Sequence, residues 1–576
     1  MQFDIVVNNR AILAKKGETI LDSLNRSGIR VPTLCNMKGL HPTGACRICV
    51  VEVEGSENLV PACSHPVEKG MRVFTHSPRV LKARKTLVEL LLSNHPDDCL
   101  YCERNGNCEL QELTIELNIR ERRMPGSKSK QKLDISSPSL VRDPAKCILC
   151  GRCVRICDEI QSVSALEFIN RGSQTVVGVS MNRTINKSSC INCGQCVLVC
   201  PTAALRERSD IEKVLDALNN KALSVAVQFD SAISVSVSQE FGFKVGKDIN
   251  GLIVAALKKI GFDYVFDSSF AADLMIVEMA NELKRRIDSG INLPMISSNC
   301  PAWVTFVRKF YPHLTPMLSS CKSPQLIMGA LIKSFFAEDQ KINPKSIFSV
   351  ALTSCLARKA EIQQMEMVSK GLSDVDAALS ARELVQLIRL YGIDLANITP
   401  QQPDSPFNVR STAGKLLTNA GGTSEALVRT LHPLITGKEL TKMKLNDFRS
   451  FEGTEEVNFS IGKVDLKVTL SNGLTGINEL VVKIELNTNQ VHFFEIMACP
   501  GGCINGGGQP IGSTDKENKI RAKTIYDSDD SEVLKVSHNN SRITEMYSSY
   551  LKEPRSNKVE NLLQVNYHKN NQLPKR

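Results

Sequence analysis

Two stretches of the 576-residue chain repeat one cysteine spacing: Cys147-x2-Cys150-x2-Cys153-x3-Cys157 and Cys190-x2-Cys193-x2-Cys196-x3-Cys200. Gaps of two residues let one loop reach three corners of an iron–sulfur cubane, and in runs of this type the fourth cysteine crosses to the other cluster. Thiolate is also the soft donor that such clusters select. The spacing predicts one 4Fe-4S cluster on Cys147, Cys150, Cys153 and Cys200 and a second on Cys190, Cys193, Cys196 and Cys157. The implied chemistry is electron transfer.

Nearer the N-terminus, Cys35, Cys46, Cys49 and Cys63 share a Cys-x2-Cys and a distant fourth ligand with plant-type ferredoxins, but not the x4 gap between the first two cysteines. A 2Fe-2S cluster fits this set best; zinc, which also accepts four thiolates, is the competing chemistry. His95 precedes Cys99-x2-Cys102-x5-Cys108. A lone histidine is more often structural, but this one stands directly before a cysteine triplet, which points to a cluster on one imidazole and three thiolates. A neutral imidazole in place of a thiolate raises a cluster's potential, as in Rieske centres.

Further along, Cys300 follows Ser297-Ser-Asn, Cys355 follows Thr353-Ser, and Cys499 and Cys503 belong to Glu495-Ile-Met-Ala-Cys-Pro-Gly-Gly-Cys-Ile-Asn-Gly-Gly-Gly-Gln-Pro510. Cys300, Cys355 and Cys499 each follow an apolar run that reads as a strand. Open α/β sheets gather their sites at the C-terminal strand ends, so four thiolates from three distant segments can hold one buried cubane. Gly501, Gly502 and Gly506 to Gly508 lack the Gly-Lys-Ser/Thr of a phosphate loop. A backbone wrapped tightly around a cofactor, or a flexible turn, accounts for them. These sets use nineteen of the 20 cysteines and leave Cys321, which reads as a packed core thiol.

The elements that must position these ligands follow from periodicity. Phe3–Val7 and Ala11–Ala14 read as a hairpin, Ile20, Leu21 and Leu24 as one face of a short helix, and Val50 to Glu54 as a strand, which makes a small α+β domain over residues 1 to about 78. A helical pattern covers Val80 to Ser93. The polar, breaker-rich Pro125–Lys132 reads as a linker. Beyond residue 210, strand-like runs at Leu223–Phe229, Leu293–Ser298, Ile347–Thr353 and Val491–Met497 alternate with helical stretches, the pattern of an α/β domain. The tail from about Val565 is polar and is expected to fray.

Hydrophobic residues make up 42% and charged residues 23%, which excludes wholesale disorder, and no apolar run reaches the ~18 residues of a spanning helix. The first residues carry neither a basic n-region nor a long apolar core, so no secretory signal is expected and the expected location is cytoplasmic. Net charge is +10, with one dense basic stretch at Arg120, Arg122, Arg123, Lys128, Lys130 and Lys132. It reads as a solvated linker face or as a docking surface for an acidic redox partner. No aromatic residues interleave with it, which argues against nucleic acid.

Taken together, the three C-terminal segments resemble the signature motifs of FeFe-hydrogenases, and the third, Glu-x-Met-Ala-Cys-x-x-Gly-Cys-x-x-Gly-Gly-Gly-x-Pro, matches in full. The N-terminal modules resemble that family's long monomeric form. The resemblance implies a multidomain α+β and α/β chain. Its parts are a β-grasp, plant-type ferredoxin-like domain (1–78), a small helical domain with a histidine-ligated 4Fe-4S cluster (79–125), a bacterial-type two-4Fe-4S domain (138–209) and a large α/β H-cluster domain with a small-subunit-like C-terminal region (210–576). It implies one 2Fe-2S cluster, three accessory 4Fe-4S clusters and an H-cluster. The H-cluster cubane would sit on Cys300, Cys355, Cys499 and Cys503, with Cys503 bridging to a diiron subsite carrying CO, CN and azadithiolate. The implied reaction interconverts H2 with protons and electrons. Ferredoxin or flavodoxin would be the partner and maturation proteins the source of the cofactor, with the chain a monomer that binds no membrane.

The departures from the family pattern cluster around the implied active site. The family's first motif usually reads Thr-Ser-Cys-Cys-Pro, and its first cysteine passes protons; here Asn299 stands there, and an amide does not titrate near pH 7. The second usually reads Met-Pro-Cys-x-x-Lys-x-x-Glu; here Thr353, Ser354 and Arg358 replace its Met, Pro and Lys, while Glu361 remains. Arg358 keeps the cation expected to bond a cyanide, in a bulkier planar form. Met279 replaces the glutamate of the usual relay, whereas Glu282, Arg286 and Ser319 persist at its outer positions. Gln228-Phe-Asp-Ser-Ala-Ile-Ser234 replaces a segment that usually reads Gln-x-Ala-Pro-Ala/Ser-Val-Arg. Met497 matches a cofactor-facing methionine, although its spacing alone reads as core. These departures suggest a different proton route, an altered bias, or a sensing or attenuated hydrogenase. The large iron–sulfur subunit of respiratory complex I lacks the C-terminal motifs, and cytosolic iron–sulfur assembly proteins lack the N-terminal modules.

Overall fold

The strands that carry the catalytic-type cysteines are short and apolar on both faces, as parallel strands covered by helices must be. In the computed structural model, which describes residues 2–128, 132–369, 371–449, 453–487, 490–565 and 567, the chain forms two compact units. One comprises Met1–Glu159, Ser164–Ser188 and Val199–Arg206; the other comprises Ile160–Val163, Ser189–Leu198 and Glu207–Arg576.

The first unit begins with a hairpin, Gln2–Val7 and Arg10–Lys15, in a five-stranded sheet that continues through Arg72–Phe74, Val50–Val53 and Val60–Pro61. The helix Ile20–Arg26 starts at a capping box in which Thr19 and Asp22 satisfy each other's backbone N–H groups, which fixes where the turn after the hairpin ends. Its buried Ile20, Leu21 and Leu24 join Ile5, Val7 and Val73 in one core. The helix Pro78–Asn94 follows, with Ser77 as its cap.

The second unit contains two four-stranded sheets. One is parallel throughout, in the order Tyr264–Asp267, Ser224–Phe229, Ile347–Thr353, Ala377–Ser380. The other runs Met295–Ile296, Phe493–Met497, Val464–Asn472, Thr454–Ile461, with only its last pair antiparallel. The 21-residue helix Ser269–Ser289 is buried along most of its length and contributes Phe270, Leu274, Met275 and Leu283 to the larger core.

One expectation changes and one is filled in. Arg120, Arg122 and Arg123 are exposed, as a solvated face requires; within the stretch, Arg122 Nη2 donates to the carbonyls of Leu92 and His95 at 3.0 Å each, and Lys128 Nζ donates to the same His95 carbonyl. Carbonyls left open at the end of the preceding helix attract these cations. Lys130 lies outside the described residues. The tail does not fray at Val565: its N–H donates to Ser320 O at 2.7 Å, and alternate residues Leu563, Val565 and Tyr567 are buried. Residues 566 and 568–576 lie outside the described set. No described helix is long and apolar enough to cross a membrane.

Candidate active site

Four strand ends in the second unit lead into functional side chains. Asp230 directly follows Ser224–Phe229 and caps the helix Ser231–Ser236. Cys355 comes two residues after Ile347–Thr353. Cys300 precedes the helix Pro301–Phe310, whose proline at the first turn needs no N–H partner. Cys499 follows Phe493–Met497, and Cys503 lies on the next short helical turn.

Cys300, Cys355, Cys499 and Cys503 lie close enough to raise one another's thiol pKa. Burial, then the neighbouring Cys300, pushes Cys355 up to about 12, and burial together with neighbouring cysteines pushes Cys499 and Cys503 up as well. Four sulfurs crowded in this way, Cys355 and Cys499 buried and Cys300 and Cys503 half-buried, become thiolates together only when a metal centre takes up the charge. The donor set therefore fits a thiolate-bound cluster.

Beside Cys503 opens a small chamber whose wall includes Asp230, Asn299, Gln325, Thr353 and Arg358. Asn299 Nδ2 donates to Leu417 O at 3.2 Å and to Thr423 Oγ1 at 3.3 Å. Arg358 Nη2 stands 3.4 Å from both the backbone and side-chain oxygens of Asn299, while its buried Nη1 faces Glu361 Oε2 at 3.5 Å. Burial alone would lower the Arg358 pKa, but Glu361, Cys503, Cys355 and Asp230 hold it above the ordinary value. A fixed cation beside the chamber suits an anionic group inside it. Burial raises the Asp230 carboxyl, against the pull of Ser354 and Arg358.

The glycine-rich segment packs backbone against backbone. A Cβ on Gly506 would lie 2.3 Å from Ser354 O, and one on Gly507 would lie 2.2 Å from Cys193 O. Any side chain at these two positions would force the ligand loops apart. Gln195 Nε2 adds a bond to Asn505 O at 2.8 Å, and Cys193 is near enough to raise the Cys499 thiol. The second ferredoxin-like run thus abuts the four-cysteine site within this unit.

Comparison with known proteins agrees with this geometry. The family model described as iron only hydrogenase large subunit, C-terminal domain, matches residues 223–507, and the iron hydrogenase small subunit matches 515–570. The 2Fe-2S iron-sulfur cluster binding domain matches 1–78, the NADH-ubiquinone oxidoreductase-G iron-sulfur binding region 84–123, and the 4Fe-4S dicluster domain 146–204. The NADP-reducing hydrogenase subunit HndD of Solidesulfovibrio fructosivorans is 38% identical over 99% of this chain and 99% of its own. Iron hydrogenase 1 of Clostridium pasteurianum is 34% identical over 98% and 100%. The chain belongs to the FeFe-hydrogenase family. The structure of a variant of the apo FeFe-hydrogenase HydA1 from Chlamydomonas reinhardtii matches with a TM-score of 0.57 at 31% identity, covering 62% of this chain and 99% of that one.

As an FeFe-hydrogenase, the protein is an oxidoreductase that interconverts H2 with protons and electrons through iron–sulfur centres; the sensing alternative is not favoured. In the hydrogenase's first unit, Cys147, Cys150, Cys153 and Cys200 all line one cavity, with the fourth drawn from the second run. Cys190, Cys193 and Cys196 belong to the second unit and Cys157 to the first. Cys35 bonds Cys46 and Cys63, and Cys63 bonds Cys49, so those four thiols meet. Burial lowers the His95 imidazole; its Nδ1 sits 3.0 Å from Pro96 O, and its buried Nε2 has no partner. That leaves Nε2 as the free donor, the arrangement of a metal-ligating histidine.

Other hydrogenase residues singled out from sequence divide into two groups. Ser319 Oγ donates to Glu282 Oε2 at 2.9 Å and Arg286 pairs with Glu282 at 2.6 Å. Met279 is fully buried in the apolar core, as is Cys321. Met497 is buried at its strand end but is not among the residues lining the chamber. Sequence reasoning did not pick out Asp230 as a site residue. An acid directly after a buried strand, one residue nearer the strand end than Cys355 and Cys499 stand on theirs, was the available signal.

Proposed function

We propose that this FeFe-hydrogenase holds an H-cluster on Cys300, Cys355, Cys499 and Cys503. It would carry CO, CN and azadithiolate on a diiron subsite in the adjoining chamber. The clusters wiring it would be one 2Fe-2S (Cys35, Cys46, Cys49, Cys63), one histidine-ligated 4Fe-4S (His95, Cys99, Cys102, Cys108) and two cubanes on the crossed cysteine runs. The observation that carries the reading is the convergence of four thiols, two buried and two half-buried, from three strand ends beside one chamber.

When bound, the diiron subsite supplies the chemistry that makes and splits H2. The protein's own part is to hold, tune and isolate it. Cysteine thiolates anchor the cubane, Arg358 presents a guanidinium to anionic ligands, and Leu352, Leu417 and Ala272 in the chamber wall exclude bulk water, so each charge acts in a low dielectric. Electrons enter through the first unit. There Arg152 pairs with Glu109 at 2.6 and 2.9 Å, next to Cys108, and Arg155 donates to the carbonyls of Cys35 and His41. Both arginines flank Cys153, which supports the first cubane as the point where two entry routes join. The contact between the Cys193 loop and Gly507 supports the second cubane as the last step before the active site.

The partner is proposed to be ferredoxin or flavodoxin, steered by the net charge of +10, with the protein a cytoplasmic monomer that obtains its diiron subsite from maturation proteins. The domain limits proposed are 1–78, 79–125, 138–209 and 210–576. An iron count together with H2/D+ exchange and methyl-viologen turnover on cofactor-loaded protein tests the whole reading. About twenty iron atoms and measurable exchange are expected. The same iron content without exchange would leave an electron-transfer or sensing protein.

A further inference from the structure

Each H2 made consumes two protons and two electrons, and each H2 split returns them, so the chamber needs a group that carries protons. Among the described residues that line it, only Asp230, Arg358 and Cys503 ionise. Cys503 is a proposed ligand, and a guanidinium does not give up its proton in proteins. Asn299 cannot titrate near pH 7, and Met279, deep in the apolar core, offers no group to carry a proton on to the Ser319–Glu282 pair.

Asp230 is held by three bonds. Its Oδ1 accepts the Ile233 N–H at 3.1 Å, and that bond also caps the helix. Its Oδ2 accepts the Ser354 N–H at 3.0 Å and the Ser354 hydroxyl at 2.9 Å. A proline at 354, as in the motif this segment resembles, would have neither donor. An alanine at 230 would have no acceptor. The two departures are therefore bonded to each other. Asp230 lies deep in the unit yet keeps part of its surface free, and that free surface is chamber wall. Hydroxyls continue beside it: Ser231 is next in the chain, Thr418 Oγ1 lies 3.2 Å from Ser231 Oγ, and Ser268 donates to Phe229 O at 3.0 Å.

We propose that Asp230 is the acid–base residue that passes protons between the chamber and the hydroxyls of Ser231, Ser268 and Thr418, with its carboxylate steadied by Ser354. In H2 evolution the carboxylic acid O–H breaks and its proton enters the chamber; the carboxylate then takes a proton back from the hydroxyl side. Two such transfers accompany two electrons from the iron–sulfur centres, and uptake runs the same steps in reverse. The charges that face Asp230 are Arg358, which favours the carboxylate, and Cys503, which opposes it. Lys415, whose backbone carbonyl accepts the Ser231 hydroxyl, has its ammonium taken by Glu532 and Ser528. This inference rests on the ligand set proposed above.

The test uses cofactor-loaded wild type, Asp230→Asn, Asp230→Glu and Ser354→Ala. It reads H2 evolution and, separately, the pH dependence of the infrared bands of the cofactor's CO and CN ligands. Wild-type bands are expected to move with a single pH midpoint. Asp230→Asn abolishes that movement and lowers evolution by about 10²-fold or more, the size of a lost general acid, whereas Asp230→Glu stays within about tenfold of wild type. Ser354→Ala removes one bond to the carboxylate and moves the midpoint to higher pH. Bands in the wild type that do not respond to pH, or a loaded Asp230→Asn that keeps both band movement and turnover, overturn the proposal. If Asp230→Asn does not load, an unmoved midpoint in Ser354→Ala overturns it. A loaded wild type with no H2 turnover would instead strike at the hydrogenase chemistry, with the midpoint still readable.

Discussion

Arg358 and Asn299 are joined across the active site: Arg358 Nη2 lies 3.4 Å from both Asn299 O and Asn299 Oδ1. The residue before one ligand cysteine is thereby tied to the residue three positions after another. Sequence resemblance suggests Arg358 as a cation for the cofactor; the geometry adds a second task, bracing the Cys300 and Cys355 loops against each other. Its other end is 3.5 Å from Glu361, which Ser323 also bonds at 2.9 Å.

Replacing Arg358 with methionine therefore does more than remove a donor. The buried Glu361 and the half-buried Asp230 would lose their shared cation, and breaking a buried charge network costs about 3–5 kcal/mol. Arg358→Met is expected to unfold well below wild type in the cofactor-free protein and to retain little diiron iron after loading. Arg358→Lys keeps the charge but not the planar fork, so it should recover most of the stability. Equal stability for all three proteins would refute the bracing role.

Gly507 makes a second prediction, because a methyl group there would stand 2.2 Å from the carbonyl of Cys193. Backbone cannot yield as a flexible side chain does, so Gly507→Ala should cost at least the ~1–3 kcal/mol of core overpacking. The Cys190–Cys196 loop should shift with it. The expected signature is a lost or altered EPR signal from the second cubane while the 2Fe-2S signal is unchanged. An unaltered spectrum would mean that the two loops are not in contact.

How much of this was readable from sequence depends on the range of the interactions. Ile347–Thr353 is a strand over the residues its apolar run predicts, because strand formation there needs only local periodicity. Leu293–Ser298 shortens to Met295–Ile296: Pro294 has no N–H for the ladder, and Ser298 turns its hydroxyl to Cys321 O. Spacing alone predicts the crossing of Cys200 into the Cys147 set, and these four cysteines line one cavity. The bond between Asp230 and Ser354 spans 124 positions, and no local pattern marks it. The buried tail at Val565 and Tyr567 was missed for a similar reason: its polar residues dominate the composition, while alternate apolar ones meet a surface from far earlier in the chain.

His95 gives a prediction with a defined sign. Its Nδ1 is placed against Pro96 O, its Nε2 is free, and Arg122 and Lys128 both donate to its carbonyl. His95→Cys would substitute a thiolate for a neutral imidazole and add one negative charge to the cluster. The potential of that cluster should fall, since imidazole ligation raises it. An EPR-monitored redox titration reads the change. His95→Ala should lose the cluster while the other iron–sulfur signals persist, and a potential unaffected by either change would remove His95 from the ligand set.

The buried carboxyl of Glu278 sets a pH dependence of stability. Tyr547 Oη donates to it, and the Arg555 N–H donates to its other oxygen at 3.2 Å. Burial nevertheless raises its pKa from 4.5 to about 7, against those bonds. A carboxyl with a raised folded pKa binds its proton more tightly when folded. Its contribution is fully present below about pH 4.5 and is lost as pH rises through about 7, a difference of about 3 kcal/mol over the window. Glu278→Gln carries no titrating proton and can still accept one of the two bonds. Denaturant unfolding of equally loaded proteins at about pH 5 and about pH 8 should show wild type losing more stability across that interval than Glu278→Gln. Glu495, which burial also raises to about 7, should leave a residual slope in the variant. Parallel pH profiles for the two proteins would show that Glu278 is ionised in the folded state throughout.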